Sequence, residues 1–368
     1  MQLELLAFIE NNPDWETILS EPPYCIKTKR DDGFVLLKYD QTRSDFTLSL
    51  VRECRGLILD EADHYLPVCV PFFKFGNFGE SYIPEIDWAT ANVQEKLDGS
   101  LIKLWYDHGK WRVSSNGEID ARNAHINSAL LTGAPKTDLY ALFAEAWRKT
   151  GVDMESLDTD YTYMFELTSP HNRVVVRYWE TTIRHIGTRN NRTMSECEKD
   201  IGIPKPRFFH LTTLNECIES ANQLGYDEEG YVIVDSSYNR IKVKSPIYIA
   251  LNHLSQGTTT HGHILDIIKT NEQEEFLIYF PEYRAVFDDV LQRIADFVAG
   301  QETALAEIQS NTYATRKDLA AVVTKFACPG CLFSVIDGKA AGVRDWLFAS
   351  PTGKALEYIG LLPENRTG

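Results

Sequence analysis

The chain has 368 residues, with 53 acidic against 37 basic side chains and a formal net charge of −16. Its length leaves room for two domains and a substantial hydrophobic core. The acidic balance argues against indiscriminate binding to nucleic acid, because Lys and Arg side chains that neutralise phosphates supply most of the non-specific affinity. Any contact with nucleic acid must therefore come from a local patch of basic residues.

The sequence predicts no membrane-spanning helix, because it contains no stretch of about 20 apolar residues. The segment Met1–Leu5 is acidic and lacks the basic residues that open a secretory signal peptide. The seven cysteines are odd in number and scattered, which is typical of reduced thiols rather than a disulfide framework. We therefore expect a soluble, cytoplasmic protein without a membrane partner.

Most of the segment from residue 33 to residue 250 has the composition and alternation of β-strands. The predicted strands are Phe34–Lys38, Gly56–Leu59, Leu101–Tyr106, Trp111–Ser114, Tyr161–Leu167, Val174–Tyr178, Ile183–Gly187, Tyr231–Val234 and Ile241–Lys244. Helical patterns interrupt them at Ile126–Leu131, Leu139–Lys149 and Leu214–Leu224. Short polar connections such as 107–110 and 236–240 predict hairpin turns. The layout is therefore an α+β fold dominated by antiparallel sheet.

After Pro246 the hydrophobic spacing changes from that of strands to that of helices. Apolar residues recur every three or four positions, which is the period of an amphipathic helix. The residues that show this period are Tyr283, Phe287, Val290, Leu291, Ile294, Phe297 and Val298, and then Leu319, Val322, Val323 and Phe326. We therefore predict two domains, 1–250 and 251–368, of which the second is all helical.

Three lysines in two short segments indicate a basic site. Lys96 stands in a Lys-x-Asp-Gly run, and Lys242 and Lys244 alternate with Ile241 and Val243. A strand would place both ammonium groups on one face and both apolar side chains on the other. That basic face either is a solvated edge of the sheet or faces a polyanion such as a nucleoside triphosphate, with Lys96 brought to it.

Two carboxylates stand between these lysines in apolar, strand-like surroundings. Glu166 lies inside Tyr161–Leu167, and Glu229 precedes the run 230–234. Each needs a partner, because an unpaired charge is expensive to bury. From the residues alone, a structural ion pair and a functional ligand are equal alternatives for Glu166.

Together these elements resemble the nucleotidyltransferase motifs I, III, IV and V of polynucleotide ligases and capping enzymes, and more closely the phage-type T4 RNA ligase 1 family. The matching runs are Glu53-Cys54-Arg55-Gly56, Lys74-Phe75, Lys96-Leu97-Asp98-Gly99-Ser100, Phe165-Glu166-Leu167, Pro170-His171-Asn172-Arg173-Val174-Val175, Glu229-Gly230-Tyr231-Val232 and Lys242-Val243-Lys244. Seven elements in the family's order make the resemblance specific, over about residues 50 to 250. One position departs from the pattern, because the family has a lysine where this chain has Asn116.

The resemblance implies an antiparallel-sheet adenylation domain and an ATP-dependent RNA ligase that acts through a lysyl-AMP intermediate, with Mg²⁺ or Mn²⁺ as the metal. It implies that Lys96 is the nucleophile and that Lys242 and Lys244 hold the α-phosphate. Glu229 would hold the metal, and Glu166 would bind the ribose hydroxyl. The other residues expected at the nucleotide are Arg55 and Lys74, at the β- and γ-phosphates, and Glu95, Lys38, Tyr39 and Asn116.

Related enzymes share these motifs but differ in the domain that comes after motif V. In capping-type guanylyltransferases and DNA ligases, which are the alternatives, that domain is usually a small β-barrel. The helical segment 251–368 instead fits the T4 RNA ligase 1 type, where it would recognise RNA. A packing or dimerisation domain is the other interpretation of this segment, and a non-catalytic RNA-binding protein is the remote alternative for the chain.

The resemblance also implies the partners of the protein. They are RNA ends that carry a 5′-phosphate and a 3′-hydroxyl, with nicked transfer RNA as the candidate substrate and RNA repair as the process. We expect a monomer that acts in the cytoplasm, which is that of a host cell if the chain is phage-encoded.

Overall fold

A computed structural model describes residues 3–126, 137–172, 175–254, 261–279 and 281–361. The chain divides into two compact units, Met1–Asn252 and His253–Gly368. The first unit contains strands and helices, and the described part of the second is helical.

Fifteen strands and thirteen α-helices are numbered here in chain order. The strands are β1 (Ile26–Asp31), β2 (Phe34–Tyr39), β3 (Arg55–Asp60), β4 (Leu66–Cys69), β5 (Asn92–Lys96), β6 (Ser100–Asp107), β7 (Lys110–Ser115), β8 (His125–Ile126), β9 (Thr137–Asp138), β10 (Tyr161–Thr168), β11 (Thr182–Asn190), β12 (Glu196–Cys197), β13 (Phe208–Phe209), β14 (Gly230–Val234) and β15 (Arg240–Lys244). The helices are α1 (Glu4–Asn11), α2 (Trp15–Ser20), α3 (Ser49–Glu53), α4 (Leu139–Thr150), α5 (Leu214–Ala221), α6 (Pro246–Leu254), α7 (His261–Thr270), α8 (Gln273–Tyr279), α9 (Arg284–Gln309), α10 (Arg316–Val323), α11 (Pro329–Ile336), α12 (Val343–Ala349) and α13 (Thr352–Tyr358). These bounds and numbers refer to the described part of the chain.

The strands of the first unit form antiparallel sheets. Their orders are β1-β2-β3-β4, β12-β11-β10-β6-β7 and β13-β5-β14-β15, and β8 pairs with β9. The ladders between these strands are antiparallel. The predicted α+β fold with antiparallel pairing is therefore confirmed, and eight of the nine predicted strands overlap an observed one.

Alternation of side chains explains the packing of the sheet β13-β5-β14-β15. Ile241 and Val243 are buried, and they pack with Tyr231 in the core under α5. Lys242 and Lys244 are half-buried on the other face. Because successive residues of a strand point to opposite faces, the run 240–244 makes one apolar and one basic surface.

The five-stranded sheet is covered by α4. The helix begins where the Asp138 side chain accepts a hydrogen bond from the Ala141 amide at 2.8 Å, and it ends at Gly151. Gly151 has a φ of 71°, which favours glycine after a helix. Phe143 of α4 packs against Phe165 of β10 with ring centroids 5.7 Å apart. The predicted helix over residues 139–149 is confirmed.

The predicted strand Val174–Tyr178 is wrong over its described residues, 175–178, which form bends and coil. The amides of Val175 and Val176 donate to Asp98 Oδ2 at 2.8 and 2.7 Å. Amides that donate to Asp98 cannot also donate to a neighbouring strand, although the run of β-branched residues has high strand propensity.

The predicted helix Ile126–Leu131 is wrong at its first residue, since Ile126 belongs to β8. Residues 127–131 of that prediction lie outside the described residues, as does Val174 of the predicted strand. The predicted helix Leu214–Leu224 is observed as α5 over Leu214–Ala221, and residues 222–224 follow it as turn and coil.

The second unit is built from α7 to α13 over its described residues. In α9, Phe287, Val290 and Ile294 are buried on one side, as their spacing predicts. The helix α10 begins with a capping box in which Thr315 and Asp318 exchange hydrogen bonds. The prediction of a helical segment after the strands is therefore confirmed for the residues that can be described.

The helices and the cysteines show two further properties of the chain. Within the described ranges, no helix is both long enough and apolar enough to cross a membrane. The seven cysteines are free thiols, and six of them are buried.

Candidate active site

A cavity of about 390 Å³ in the first unit gathers six of the predicted site residues. Side chains from β5, β14 and β15 meet others from β3, β6, β10 and β11 there. The predicted residues in its wall are Arg55, Glu95, Lys96, Asn116, Glu166 and Lys242.

The register of β5, β14 and β15 places three lysines on one sheet face. Lys96 and Lys244 both lie opposite Gly230, and Lys242 lies opposite Val232. Residues directly opposite each other in an antiparallel pair share a face, as do alternate residues of one strand. The shared face predicted for Lys242 and Lys244 is therefore observed, and β5 brings Lys96 to it.

Lys96 is paired with Glu229 at the end of β5. Lys96 Nζ lies 2.6 Å from Glu229 Oε1, and the two side chains are 20% and 4% exposed. Burial raises the pKa of Glu229, while the positive charges of Lys96 and Lys244 oppose that rise. Within the described residues, Glu229 Oε2 has no hydrogen-bond partner. One oxygen of this carboxylate thus holds the lysine, and the other is left for a further ligand.

The loop after β5 is fixed by Asp98. Its Oδ2 accepts the Val175 and Val176 amides, and its Oδ1 accepts a hydrogen bond from the Tyr248 hydroxyl at 2.9 Å. The Asp98 amide donates to the Tyr178 hydroxyl at 3.0 Å. With its carboxylate bonded on both oxygens, Asp98 shapes the loop that follows Lys96.

Gly99 allows this loop to approach β10 closely. A Cβ at position 99 would lie 2.4 Å from the Leu167 carbonyl oxygen, which is closer than any real carbon contact. The Gly99 amide donates to Glu166 Oε1 at 3.1 Å. Burial raises the pKa of Glu166 to about 7, and the nearby charge of Lys96 lowers it in part. Glu166 therefore lines the cavity with one oxygen anchored to the backbone.

Lys242 lies among other cations. Burial lowers the pKa of Lys242 well below its ordinary value, and the charges of Lys74, Lys244, Lys96 and Arg55 lower it further. A group of positive charges that destabilise one another is a site for an anion, because binding a polyanion relieves the repulsion.

Aromatic rings lie between these cations. The Lys242 ammonium and the Arg55 guanidinium lie 5.0 and 5.4 Å from the centre of the Phe75 ring. Lys74 is buried, with its ammonium 4.8 Å from the centre of the Phe46 ring. It lines a neighbouring cavity of about 590 Å³ rather than the one of 390 Å³. Lys74 is therefore near enough to Lys242 to affect the pKa of Lys242, although its side chain lines the neighbouring cavity.

Lys38 and Tyr39 of β2 do not line the 390 Å³ cavity. Tyr39 is buried in the core, where its ring packs edge-on against Phe46 with centroids 5.0 Å apart. Lys38 points toward Gly117, where an added Cβ would lie 3.3 Å from its ammonium. The described structure thus does not bring these two predicted residues into the cavity wall.

Glu95 contributes to the cavity wall, but its carboxylate pairs with another side chain. Arg207 reaches it at 2.9 Å, and the Arg207 backbone carbonyl accepts the Glu95 amide at 2.8 Å. Because Glu95 precedes Lys96 in β5, its side chain leaves on the opposite face of the sheet.

Lys103, a buried basic residue that lies close to Asn116, was not predicted from the sequence. Lys103 is fully buried on β6, and its ammonium donates to the Gly56 carbonyl oxygen. A Cβ at Gly56 would lie 3.0 Å from Lys103 Nζ and 3.1 Å from Asn116 Oδ1, so both groups lie next to Gly56. Burial lowers the pKa of Lys103 to about 8. The signal that could have identified it is a charge inside the apolar run Leu101–Tyr106. Glu166 and Glu229 were selected for the same reason, since a charge in such a run needs a partner.

Three buried polar atoms of this site have no hydrogen-bond partner within the described residues: Arg55 Nη1, Asn116 Oδ1 and Glu229 Oε2. An unsatisfied buried group costs about 1–3 kcal/mol, so a ligand that bonds these three atoms would gain stability from them. A guanidinium donor suits a phosphate, and amide and carboxylate oxygens suit a hard divalent cation or a hydroxyl. The residues present therefore fit a metal-bound nucleotide.

Comparison with known proteins identifies the family of this chain. A family model described as RNA ligase, of the T4 RNA ligase 1 type, matches residues 53–248. A protein of Autographa californica nuclear polyhedrosis virus that carries the name bifunctional polynucleotide kinase/RNA ligase is 31% identical over 277 residues, which are 71% of this chain and 39% of the viral protein. An RNA ligase of Rhodothermus phage RM378 is 28% identical over 295 residues, covering 63% of this chain and 67% of the phage protein.

A solved structure of an archaeal ATP-dependent RNA ligase matches with a TM-score of 0.46 at 15% identity, over 81% of this chain and 83% of the other. The chain spans only about two fifths of the viral relative. The family match, in contrast, covers more than half of this chain and includes the segments of Lys96, Glu166, Glu229 and Lys244. The chain belongs to the RNA ligase family of the T4 RNA ligase 1 type.

Proposed function

We propose that this protein is an ATP-dependent RNA ligase that joins a 5′-phosphate end to a 3′-hydroxyl end. The observation that carries the proposal is the position of Lys96, which shares a sheet face with Lys242 and Lys244 at the 390 Å³ cavity and pairs with Glu229. A lysine amine beside other cations and two carboxylates suits nucleotidyl transfer to lysine.

In the first step, the Lys96 amine attacks the α-phosphorus of ATP. A P–N bond forms, the bond to the β-phosphate oxygen breaks, and pyrophosphate leaves. The amine must be neutral to attack, and it lies on one sheet face with the ammonium groups of Lys242 and Lys244. The same two ammonium groups would neutralise the charge that develops on the α-phosphate oxygens.

In the second step, an oxygen of the RNA 5′-phosphate attacks the AMP phosphorus. The P–N bond breaks, Lys96 is regenerated, and a 5′-to-5′ phosphoanhydride forms. In the third step, the 3′-hydroxyl of the other RNA end attacks the 5′-phosphorus and loses its proton. AMP leaves with the bridging oxygen, so each ligation consumes one ATP and yields one phosphodiester bond.

Glu229 is the residue proposed to hold a divalent cation, Mg²⁺ or Mn²⁺, through Oε2, its unpartnered oxygen. Such a cation neutralises charge on the phosphates of bound ATP. Arg55, with one unpartnered guanidinium nitrogen, would bind the departing phosphates.

The remaining cavity wall suits the nucleoside. Ile186 and Val232 provide apolar surface for a planar base, and Glu166 would accept a hydrogen bond from a ribose hydroxyl. Five residues are proposed only as secondary contacts: Lys74, Lys38 and Tyr39, which lie outside this wall, Glu95, which pairs with Arg207, and Asn116, which stands where the family has a lysine.

The proposal is tested by incubation with ATP labelled at the α-phosphate. We expect label on the parent protein and none on Lys96→Arg, because a guanidinium keeps the charge that pairs with Glu229 but is never a neutral nucleophile. Label retained on Lys96→Arg would refute the role of Lys96. Label transferred from GTP in place of ATP would support a capping-type guanylyltransferase instead.

The finer proposal is that the protein repairs nicked transfer RNA as a monomer in the cytoplasm. The first unit, Met1–Asn252, would adenylate, and the second, His253–Gly368, would recognise RNA. A chain that ends at Asn252 should then still form the AMP adduct but lose sealing of a nicked anticodon stem-loop more than joining of an unstructured oligonucleotide. Solubility and a cooperative melt must be checked first, and an equal loss on both RNAs would contradict the proposed role of the second unit.

A further inference from the structure

Three large apolar side chains are more than half exposed among the described residues: Trp179 at 75%, Tyr226 at 74% and Phe208 at 52%. All three are aromatic, and all lie in the first unit. Large aromatic side chains usually bury most of their surface, so exposure of this extent beside a functional site indicates a surface that binds a partner. The positions of these rings relative to the proposed adenylation site indicate which partner they would bind.

Phe208 lies on the face of the sheet that carries Lys96. It is opposite Gln94 in the ladder between β13 and β5, and Gln94 lines the 390 Å³ cavity. Directly opposite residues share a face. The next residue, Phe209, points the other way and packs on Tyr231 at 5.0 Å. Phe208 itself is not part of the cavity wall, so it extends the cavity face outward along the edge strand.

Trp179 is held close to the same loop by hydrogen bonds. The segment that leads to it, 175–178, is bonded to Asp98 through two backbone amides and through the Tyr178 hydroxyl. Asp98 lies two residues after Lys96. The Arg177 guanidinium lies 4.2 Å from the centre of the Trp179 ring, and both side chains are exposed. An aromatic ring and a stacked guanidinium are thereby anchored to the loop that follows the proposed nucleophile, without being used in the core.

We propose that Trp179 and Phe208 form a stacking platform for bases of the single-stranded RNA end whose 5′-phosphate receives AMP from Lys96. This inference rests on the proposed function. RNA bases that are not paired bind proteins by stacking on aromatic rings and Arg side chains, and this stacking tolerates any sequence. Arg177 would add a positive charge for the RNA backbone in a chain whose net charge is −16.

Tyr226 provides a matched control, because its segment leads to the other face of the sheet. Glu228, two residues later, pairs with Arg207 at 3.1 Å, and Arg207 holds Glu95. The Glu95 side chain leaves β5 on the face opposite Lys96. Tyr226 is therefore as exposed as Trp179 but is excluded from the platform.

The test compares Trp179→Ala, Phe208→Ala and Tyr226→Ala in the full chain. One measurement is formation of the labelled AMP adduct, and the other is affinity of the adenylated protein for a 5′-phosphorylated RNA of about ten nucleotides. We expect all three variants to form the adduct at the parental rate. Trp179→Ala and Phe208→Ala should each weaken RNA affinity at least about fivefold, since stacking accounts for roughly 5- to 150-fold per base. Tyr226→Ala should match the parent.

An RNA with an abasic nucleotide near its 5′ end identifies stacking directly. The parent should bind it more weakly than the intact RNA, whereas Trp179→Ala should show little further loss, and Trp179→Phe should restore most of the affinity. Parental affinity in both platform variants would overturn the proposal, as would an equal loss in Tyr226→Ala. If the parent forms no AMP adduct, the proposed function fails instead, so the two failures are distinguishable.

Discussion

The two faces of the sheet β13-β5-β14-β15 differ in what surrounds their side chains. On one face, Ile241 and Val243 are buried in an apolar core under α5. On the other, Lys242 and Lys244 lie near Lys96, and their like charges repel one another. Along this strand, residues that pack in the core therefore alternate with residues proposed to act in the chemistry. Single substitutions one position apart should separate stability from activity.

After loss of Lys96 itself, the largest effect on activity is expected for Lys242→Ala. Loss of a preorganised charge at a developing phosphate charge typically lowers a rate by on the order of a hundredfold to a thousandfold. Stability should not fall, because burial and repulsion already disfavour this ammonium. The rate of adduct formation and a urea melt measure the two quantities. An adenylation rate within a few-fold of the parent would contradict the role of the basic face.

The neighbouring substitution Ile241→Ala should give the reverse result. Ile241 is 2% exposed, and truncation of a buried Ile to Ala costs about 2–5 kcal/mol of unfolding free energy. At a temperature where the variant remains folded, the adduct should form at close to the parental rate. A variant that melts like the parent but adenylates a hundredfold more slowly would show that the two faces are not separable.

Lys103→Met tests the buried lysine beside Asn116 through the pH dependence of stability. Between its folded pKa of about 8 and its ordinary value of 10.5, the unfolded chain holds a proton that the folded chain has released. The unfolding free energy of the parent should therefore gain a rising contribution across that window, at about 1.4 kcal/mol per pH unit. Lys103→Met should lack this contribution.

Urea unfolding at several values between about pH 7 and pH 10 measures the difference between the two proteins. Lys149→Met is the control, since Lys149 is about half exposed and pairs with Glu145 on the helix surface. It should behave like the parent across the whole window. Parallel curves for the parent and Lys103→Met would show that the pKa of Lys103 is not lowered in the folded protein.

The smallest effect is expected for Glu95→Gln. Its ion pair with Arg207 lies at the sheet edge, where the Arg207 side chain is 61% exposed, and such pairs contribute about 0–1 kcal/mol. The carboxylate also leaves on the face opposite Lys96, so adduct formation should change by less than about threefold. A drop as large as that of Lys242→Ala would place the Glu95 carboxylate at the nucleotide and would revise the comparison of the two faces.

The observed strands that sequence patterns predicted are at least five residues long, and the missed strands are either shorter, such as β4, or poor in apolar residues, such as β1 and β5. In β5, Val93 is the only apolar residue of Asn92–Lys96, so nothing in the sequence distinguishes it from a loop. It is a strand because β14 provides its ladder. Conversely, the β-branched run at 175–176 is not a strand, because Asp98 takes its amides.

The sequence by itself determined the α+β class, the helical second unit, the alternation of Lys242 and Lys244 with apolar residues, and the motifs that place the chain in its family. These properties depend on local periodicity and on residue types in a fixed order, which are present before folding. Tertiary structure alone decided that Lys96 pairs with Glu229, that Tyr39 is turned into the core, and that Lys103 lies beside Asn116. The physical reason is that these relations join residues far apart in the chain, and their distances are set by sheet register and packing rather than by local sequence.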